Sequence, residues 1–388
     1  MSTDMEIMEE LRASAQKVLQ NELLPKVEES ESKAEFARDV HRSLGQLGLA
    51  GPMLPEAYGG ADSLMAQLVV AEEMGYVDNG FGLSSLASTC LYGANVARHG
   101  TEAQKQKYLP SIIDGSRIGC WGLTEPEIGS DALSIKATAQ KKGDGYILNG
   151  AKTFITNAPI ADDFVILARL TDENGKPVGK GIDGGVAFIL EKGMKGLSTG
   201  KPFKKMGHIS SPTGEVFMEN VEVGPELLLG EEGRAFYDMK YSLDVERVIF
   251  SGLATGLMRF CLDATLKYTM ERKQFGVPIA EFQMVQDKVA QMSMWYESSR
   301  TYLYQTLHKL EAGQSVNREA AIAKLLVAEG ARHVADMAVQ CHGGYGYMKE
   351  YQVERALRDS KLFEIGAGTS EIQKLIIAKQ TYKEFLRS

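Results

Sequence analysis

The chain has 388 residues, 44% of them hydrophobic, which is enough for two or three packed regions of a globular protein. Its 43 basic and 51 acidic residues give a formal charge of −8, with no dense Lys/Arg run to neutralise a row of phosphates, so nucleic acid is not an expected partner. Cys90, Cys120, Cys261 and Cys341 and the dispersed histidines show no C-x-x-C or H-x-x-x-H spacing, which argues for buried free thiols and against disulfides or a metal centre.

The N-terminal MSTDMEIMEE is acidic where a signal peptide is basic and then apolar, and no apolar run approaches the roughly 20 residues that span a bilayer. The expectation is a cytoplasmic protein without a membrane span. Residues 1–118 read as an N-terminal helical domain: Ile7, Leu11, Val18 and Leu19 share helical spacing, and Phe36, Val40 and Leu44 continue it. Pro55 and the Gly59-Gly60 pair mark a turn, with Ser63 placed to start the next helix.

Residues 119–234 read as a middle β domain. GYILNGAKTFITNA, DDFVILARL, GGVAFILEKG and GEVFMENVEV are rich in β-formers, and Asn149-Gly150 and Asn174-Gly175 are turn signals. No alternating β-helix-β units and no G-x-G-x-x-G follow, which argues against a Rossmann dinucleotide fold.

Residues 235–388 read as a C-terminal helical bundle, with helices over 243–272, 282–312 and 318–340, then HGGYGY and a final helix. In FEIGAGTSEIQKLI, Gly366 and Gly368 permit conformations and close approaches that a Cβ would block, and Ser370 with Gln373 has capping-box spacing, so the last helix is expected to begin near Glu371. Ile372, Leu375, Ile376 and Phe385 give it an apolar stripe. Taken alone, the stretch is open between an ordinary capped loop and a ligand site formed by helix N-terminal amides.

Four motifs in this order, GLTEPEIGSD (Gly122 to Asp131), FITN (Phe154 to Asn157), ERKQFG (Glu271 to Gly276) and QCHGGYGY with the later EIGAGTSEIQ, resemble the acyl-CoA dehydrogenase family over essentially the whole chain. The likeness is strongest to the isovaleryl-CoA and related branched-acyl branch. It implies a mainly α fold with a central β domain, bound FAD, an acyl-CoA substrate, electron-transferring flavoprotein as electron partner, and a homotetramer. By the same resemblance, Trp121, Leu123, Thr124, Ser130, Phe154, Ile155 and Thr156 contact FAD, Ser130 also holding the CoA portion. Phe154 stands where many relatives have Trp, keeping the aromatic face while losing an N–H donor. Arg272, Phe275, Gln283, Gln340, Gly343 and Gly344 match positions that bind cofactor, Arg272 and Phe275 reaching the FAD of a neighbouring subunit. Thr369 and Glu371 match further cofactor positions, and Tyr237, Asp244, Arg247 and Gly366 match substrate positions.

In many relatives the position of Ala367 is the glutamate that takes the substrate's α-proton, which alanine cannot do. The segment YSLDVERVIF resembles the helix that carries the base in the isovaleryl branch, with Glu246 at the matching position. The resemblance leaves Ala367 the role of oxyanion donor, through its backbone N–H together with a ribityl hydroxyl of FAD. A solvated Glu of pKa about 4.3 is a poor base, and reaching about 7 needs roughly 3.7 kcal/mol of differential destabilisation of its charged form. Burial beside an acyl chain supplies that. Arg247 opposes it if it meets the carboxylate, so the two side chains are expected to diverge.

Relatives acting on straight chains often carry a bulky residue at the position of Gly366, so a branched, β-substituted or cyclic acyl group is expected, an isovaleryl-like group first. Ser88, Thr89, Leu91, Tyr92, Ala254 and Leu257 are candidates for the distal lining. Ile209 stands where many relatives have Arg. Three alternatives stay open: an enoyl-CoA reductase or an aromatic or dicarboxylic acyl-CoA dehydrogenase on the same fold, an acyl-CoA oxidase, and a non-catalytic CoA-binding or assembly protein.

Overall fold

In the computed structural model, which describes residues 2–387, helices α1 (Ser2–Val18), α2 (Arg38–Gln46), α3 (Leu64–Val77), α4 (Asn79–Leu86) and α5 (Glu102–Ile113) build the first region. Ser63 caps α3 as its sequence position suggests, its hydroxyl accepting from the Ala66 N–H. α4 runs directly into a π-helical turn over Ala87–Gly93, whose wider winding faces the interior.

The middle region is one sheet. Its strands are β1 (Gly119–Gly122), β2 (Thr138–Lys142), β3 (Gly145–Thr156), β4 (Asp163–Thr171), β5 (Gly185–Glu191), β6 (Leu197–Thr199), β7 (Thr213–Val223) and β8 (Leu228–Leu229). They lie in the order β6-β7-β3-β2-β4-β5-β8, with β1 pairing in parallel on the first half of β4. Asn174-Gly175 is a turn, the Gly175 N–H donating to Asp172. Asn149-Gly150 is not. β3 passes straight through it, and the irregularity is a register shift against β7, where Asn220 at φ 52° pairs with the Asn149 side chain. A second shift lies between Lys152 and Ile155, and it turns the Phe154 side chain out of the sheet.

Long helices then return: α6 (Ala235–Glu271), α7 (Gln283–Glu311), α8 (Asn317–His342), α9 (Val353–Phe363) and α10 (Ser370–Phe385). α6 begins eight residues earlier than the sequence reading. It also contains a window apolar enough to cross a membrane, against that reading, and most of the window is buried inside the fold. Core position explains it, because a helix contacted on all sides carries apolar residues all round. α3 and α6 cross closely where both lack side chains: a Cβ on Gly75 would stand 2.1 Å from the Leu253 carbonyl oxygen, and one on Gly256 2.1 Å from that of Glu72. α10 begins one residue before the expected point. Its N-cap is Thr369, which accepts from the Ile372 N–H, and Gln373 makes no capping box. Ile372 and Ile376 are half-buried, while Leu375 and Phe385 are exposed.

Polar clusters fasten the regions to one another. Arg12 of α1, Arg259 of α6 and Arg300 of α7 converge on the buried Glu72 and Glu73 of α3. At another junction Asp78 accepts from Ser210, and Asp359 accepts from the His208 N–H. Such buried carboxyl groups are tolerable because each is paired with an arginine or satisfied by hydrogen bonds.

Candidate active site

One cavity of about 810 Å³ lies where the three regions meet. Its walls come from the loop after β1, the Phe154 bulge of β3, the middle of α6, the start of α8 and the turn between α9 and α10. Of the residues singled out from sequence, Trp121, Leu123, Thr124, Ser130, Phe154, Ile155, Thr156, Glu246, Arg247, Gly366, Ala367 and Thr369 all line it.

The wall formed by β1 and β3 offers an aromatic face with polar groups at its edge. Phe154 is 68% exposed at φ 57°, an unusual state for a strand aromatic, and its ring leans on Phe203. Thr124, Ser130 and Thr156 line the cavity, and the residue after Phe154, Ile155, is buried. Beneath the loop, Lys152 is fully buried and donates to Glu125 at 2.8 Å and to the Leu123 carbonyl at 3.1 Å. Glu125 also accepts from the Lys136 and Ala137 N–H groups. Burial lowers the Lys152 ammonium to about 8 despite this partner. The loop is therefore anchored from below, leaving its upper face free for a ligand.

Opposite stands Glu246. It is 7% exposed, its Oε2 has no hydrogen-bond partner among the described residues, and burial raises its pKa to about 7 against the smaller opposing effects of Arg247 and Lys324. Arg247 does turn away: Nη1 donates to Asp244 at 2.7 Å and Nε points to the Ala367 carbonyl at 3.4 Å. A lone carboxylate aimed into an apolar-walled cavity, ionised for half its population near neutral pH, has the properties of a general base.

The turn 366–369 completes the site. Ala367 and Gly368 both have positive φ, 55° and 88°, so the conformation relies on glycine at 368 and is strained at 367. Gly366 has no such requirement. A Cβ there would meet nothing nearer than 3.6 Å, so its smallness leaves space rather than allowing a turn. The Ala367 and Gly368 carbonyls accept from Gln373 at 3.1 and 2.8 Å, and Gly368 also accepts from Lys324 at 2.8 Å. With the carbonyls held outward, the Ala367 N–H has no acceptor within the protein among the described residues.

The remaining expectations separate. Arg272, Gly343 and Gly344 line a second pocket of about 480 Å³ with Tyr268 and Tyr345, distinct from the main cavity. Phe275 is 94% exposed at φ 50°, Gln283 opens α7, and Gln340 is exposed near the end of α8. Tyr237 lies outside the cavity, its hydroxyl donating to Asp183, because it sits about two and a half turns before Glu246, on the opposite face of α6. Asp244 also stands outside it, holding Arg247 and Asn317, and Glu371 faces solvent in the first turn of α10. Among the distal candidates Leu91 and Ala254 line the cavity. Ser88, Thr89, Tyr92 and Leu257 do not: Ser88 accepts from the Gly119 N–H, Thr89 donates to the Ser85 carbonyl, and Tyr92 and Leu257 pack in the core. Leu83, Ala87, Phe250, Ser251, Lys205 and Lys324 line it without having been singled out. Helical spacing from Leu91 and Ala254 could have found Ala87, Phe250 and Ser251, but nothing local marks Lys324.

Residues 6–116, 120–221 and 233–382 match the N-terminal, middle and C-terminal domains of the acyl-CoA dehydrogenase family. The chain belongs to this family and is an FAD-dependent oxidoreductase acting on CH–CH bonds. It is 40% identical to a mitochondrial isovaleryl-CoA dehydrogenase of Oryza sativa subsp. japonica, over 97% of this chain and 91% of that one. It is 37% identical to the 3-(aryl)acrylate reductase of Clostridium sporogenes, over 96% and 98% of the two chains. The solved butyryl-CoA dehydrogenase of Megasphaera elsdenii superposes with a TM-score of 0.92 at 35% identity, covering 97% of this chain and 98% of that one.

Proposed function

We propose that this protein oxidises a branched, β-substituted or cyclic acyl-CoA to the trans-2-enoyl-CoA, isovaleryl-CoA first, with Glu246 as the base. The observation that carries the reading is that the buried Glu246, whose Oε2 has no hydrogen-bond partner among the described residues, and Ala367, whose N–H has no acceptor among them, line one cavity. An α-hydrogen of a thioester is only weakly acidic, so its removal needs a base at Cα and a donor at the carbonyl oxygen together. Glu246 takes that proton at Oε2. The Ala367 N–H donates to the thioester oxygen as negative charge develops there. FAD, when bound, supplies the acceptor for the β-hydrogen, which leaves as hydride while the Cα–Cβ double bond forms. Phe154, Thr124 and Thr156 form the wall that suits the flavin, an exposed aromatic face with polar groups at its edge. Ser130 at the rim suits the CoA portion.

The open space at Gly366 supports a substituted acyl group, because a branch near Cβ needs room beside the turn. Electron-transferring flavoprotein is the proposed acceptor of the electrons. A homotetramer is proposed from the second pocket, since Arg272, Gly343 and Gly344 stand apart from the main cavity, and from exposed apolar side chains such as Phe275, Met284 and Leu375.

A second reading, reduction of an enoyl-CoA, is favoured by one property of the same carboxyl group. A pKa of about 7 leaves Glu246 half protonated, able to give a proton to Cα as readily as to take one. The likeness to an arylacrylate reductase supports it. The test is anaerobic titration of the flavin-loaded protein with isovaleryl-, butyryl-, cyclohexanecarbonyl- and 3-arylpropanoyl-CoA. Loss of oxidised-flavin absorbance with a branched or cyclic thioester supports the proposal. Bleaching by none, with reoxidation of chemically reduced protein by an enoyl-CoA, favours the second reading.

A further inference from the structure

Three helices place a side chain on the turn that carries the oxyanion donor: Arg247 from α6, Lys324 from α8 and Gln373 from α10. Arg247 is already committed to Asp244, and Gln373 is uncharged. Lys324 differs. It is 5% exposed, its one hydrogen bond among the described residues goes to the Gly368 carbonyl at 2.8 Å, and it lines the cavity with Glu246. A buried ammonium with a single acceptor is costly, so its position needs a return elsewhere.

The return has two parts, both following from geometry. Ala367 is strained at φ 55°, and a strained turn keeps its shape only while surrounding contacts hold it. Removing the Lys324 contact leaves the Gly368 carbonyl to Gln373 alone among the described residues, which loosens the turn that positions the Ala367 N–H. The second part is charge. The ionised groups that act on Glu246 are Arg247 on its own helix and Lys324 on α8, with the neutral Cys90 thiol of the π-helical turn opposite. Lys324 in turn feels Arg247, Glu246, Glu364 and Glu371. Arg247 is the larger of the two influences but is already held by Asp244 at 2.7 Å, whereas Lys324 has no carboxylate partner among the described residues and is the second cation that favours the ionised base.

Resting on the reading of Glu246 as base, we propose that Lys324 is a positioning residue of the reaction. It helps hold the turn that aims the Ala367 N–H at the thioester oxygen, and its charge favours the carboxylate form of Glu246. It touches neither reacting carbon.

The variants are Lys324→Met, which loses donor and charge, Lys324→Gln, which keeps a donor without charge, and Lys324→Arg, which keeps both. Each is prepared flavin-loaded and assayed with isovaleryl-CoA for kcat and KM against pH. Binding of acetoacetyl-CoA is measured alongside, because its acidic Cα–H gives its proton to the base and forms an enolate without any oxidation, and so reports stabilisation of the enolate separately from hydride transfer. For Lys324→Met the expected result is a loss of kcat of about 10- to 100-fold, with KM changed much less. The acidic limb of the kcat/KM profile should move upward from about 7, and acetoacetyl-CoA should bind at least about tenfold more weakly. Lys324→Gln should shift the pH limb as far while losing less enolate affinity, and Lys324→Arg should restore both in part. If Lys324→Met does not fold, the Gln and Arg variants decide by the same criteria. A wild-type pH limb and wild-type acetoacetyl-CoA affinity in Lys324→Gln and Lys324→Met would overturn the proposal. Glu246→Gln separates the two levels: an active Glu246→Gln removes the base assignment itself, whereas an inactive one beside unshifted Lys324 variants removes only the role given to Lys324.

Discussion

Replacing Glu246 by Gln should make the protein more stable at alkaline pH, and the size of the gain follows from its burial. Its folded pKa is about 7 against an ordinary 4.5, because burial disfavours the charged form. Below pH 4.5 the carboxyl is protonated in folded and unfolded chains alike, so it costs nothing. As pH rises from 4.5 to 7 the unfolded chain releases the proton while the folded one keeps it, and folding becomes progressively less favourable. Above 7 the loss is complete at about 3 kcal/mol, from 1.36 kcal/mol per tenfold. Glutamine keeps the shape and never ionises. The stability difference between Glu246→Gln and wild type should therefore be under about 1 kcal/mol at pH 5 and about 3 kcal/mol at pH 8.5. Urea unfolding of the flavin-loaded proteins at one fixed concentration, followed by circular dichroism, measures it, and the titrating groups that do not interact with Glu246 cancel in the difference. A gap of the same size at both pH values would refute the claim that Glu246 is a desolvated acid.

The same carboxyl group should govern activity against pH: kcat/KM for isovaleryl-CoA is predicted to rise with an apparent pKa near 7 and to lose that limb when Glu246 is replaced. Gly366→Ile should leave folding and flavin content intact, since a Cβ is accommodated there, yet raise KM for isovaleryl-CoA at least about tenfold with a smaller effect on butyryl-CoA; equal effects on both would remove Gly366 as a selectivity position. Lys152→Met should cost about 3 kcal/mol by leaving Glu125 without its counter-charge, and should weaken flavin retention because that pair anchors the loop after β1; unchanged flavin retention in folded protein would contradict the anchoring role.

The sequence carried the sites better than the joints. Periodicity placed α6, α7 and α8 to within a few residues at most ends, because each buries a broad apolar face. Asn149-Gly150 misled, since that dipeptide fits a hairpin turn as well as a mid-strand irregularity, and only the extra residue of β7 opposite distinguishes them. Thr369 and Ser370 are both competent caps, and the choice was made by Gln373 turning back to the Ala367 and Gly368 carbonyls, a tertiary contact. The resemblance supplied Glu246 and Ala367, and the diverging Arg247 side chain is what elementary electrostatics demanded of a base beside an arginine. Tyr237 and Asp244 share a helix with Glu246, and adjacency along a helix says little about which face reaches the cavity. Lys324 was illegible: a lysine amid the alanines of α8 reads as a solvated charge until the fold brings Gly368 against it.

The most direct test of the account is the anaerobic rate of flavin reduction after mixing with isovaleryl-CoA, measured by stopped flow for wild type and Glu246→Gln. The account predicts rapid bleaching in wild type, faster as pH rises through about 7, and a Glu246→Gln protein that binds the thioester but reduces at least about 10³-fold more slowly at every pH. Bleaching of Glu246→Gln at the wild-type rate would contradict it.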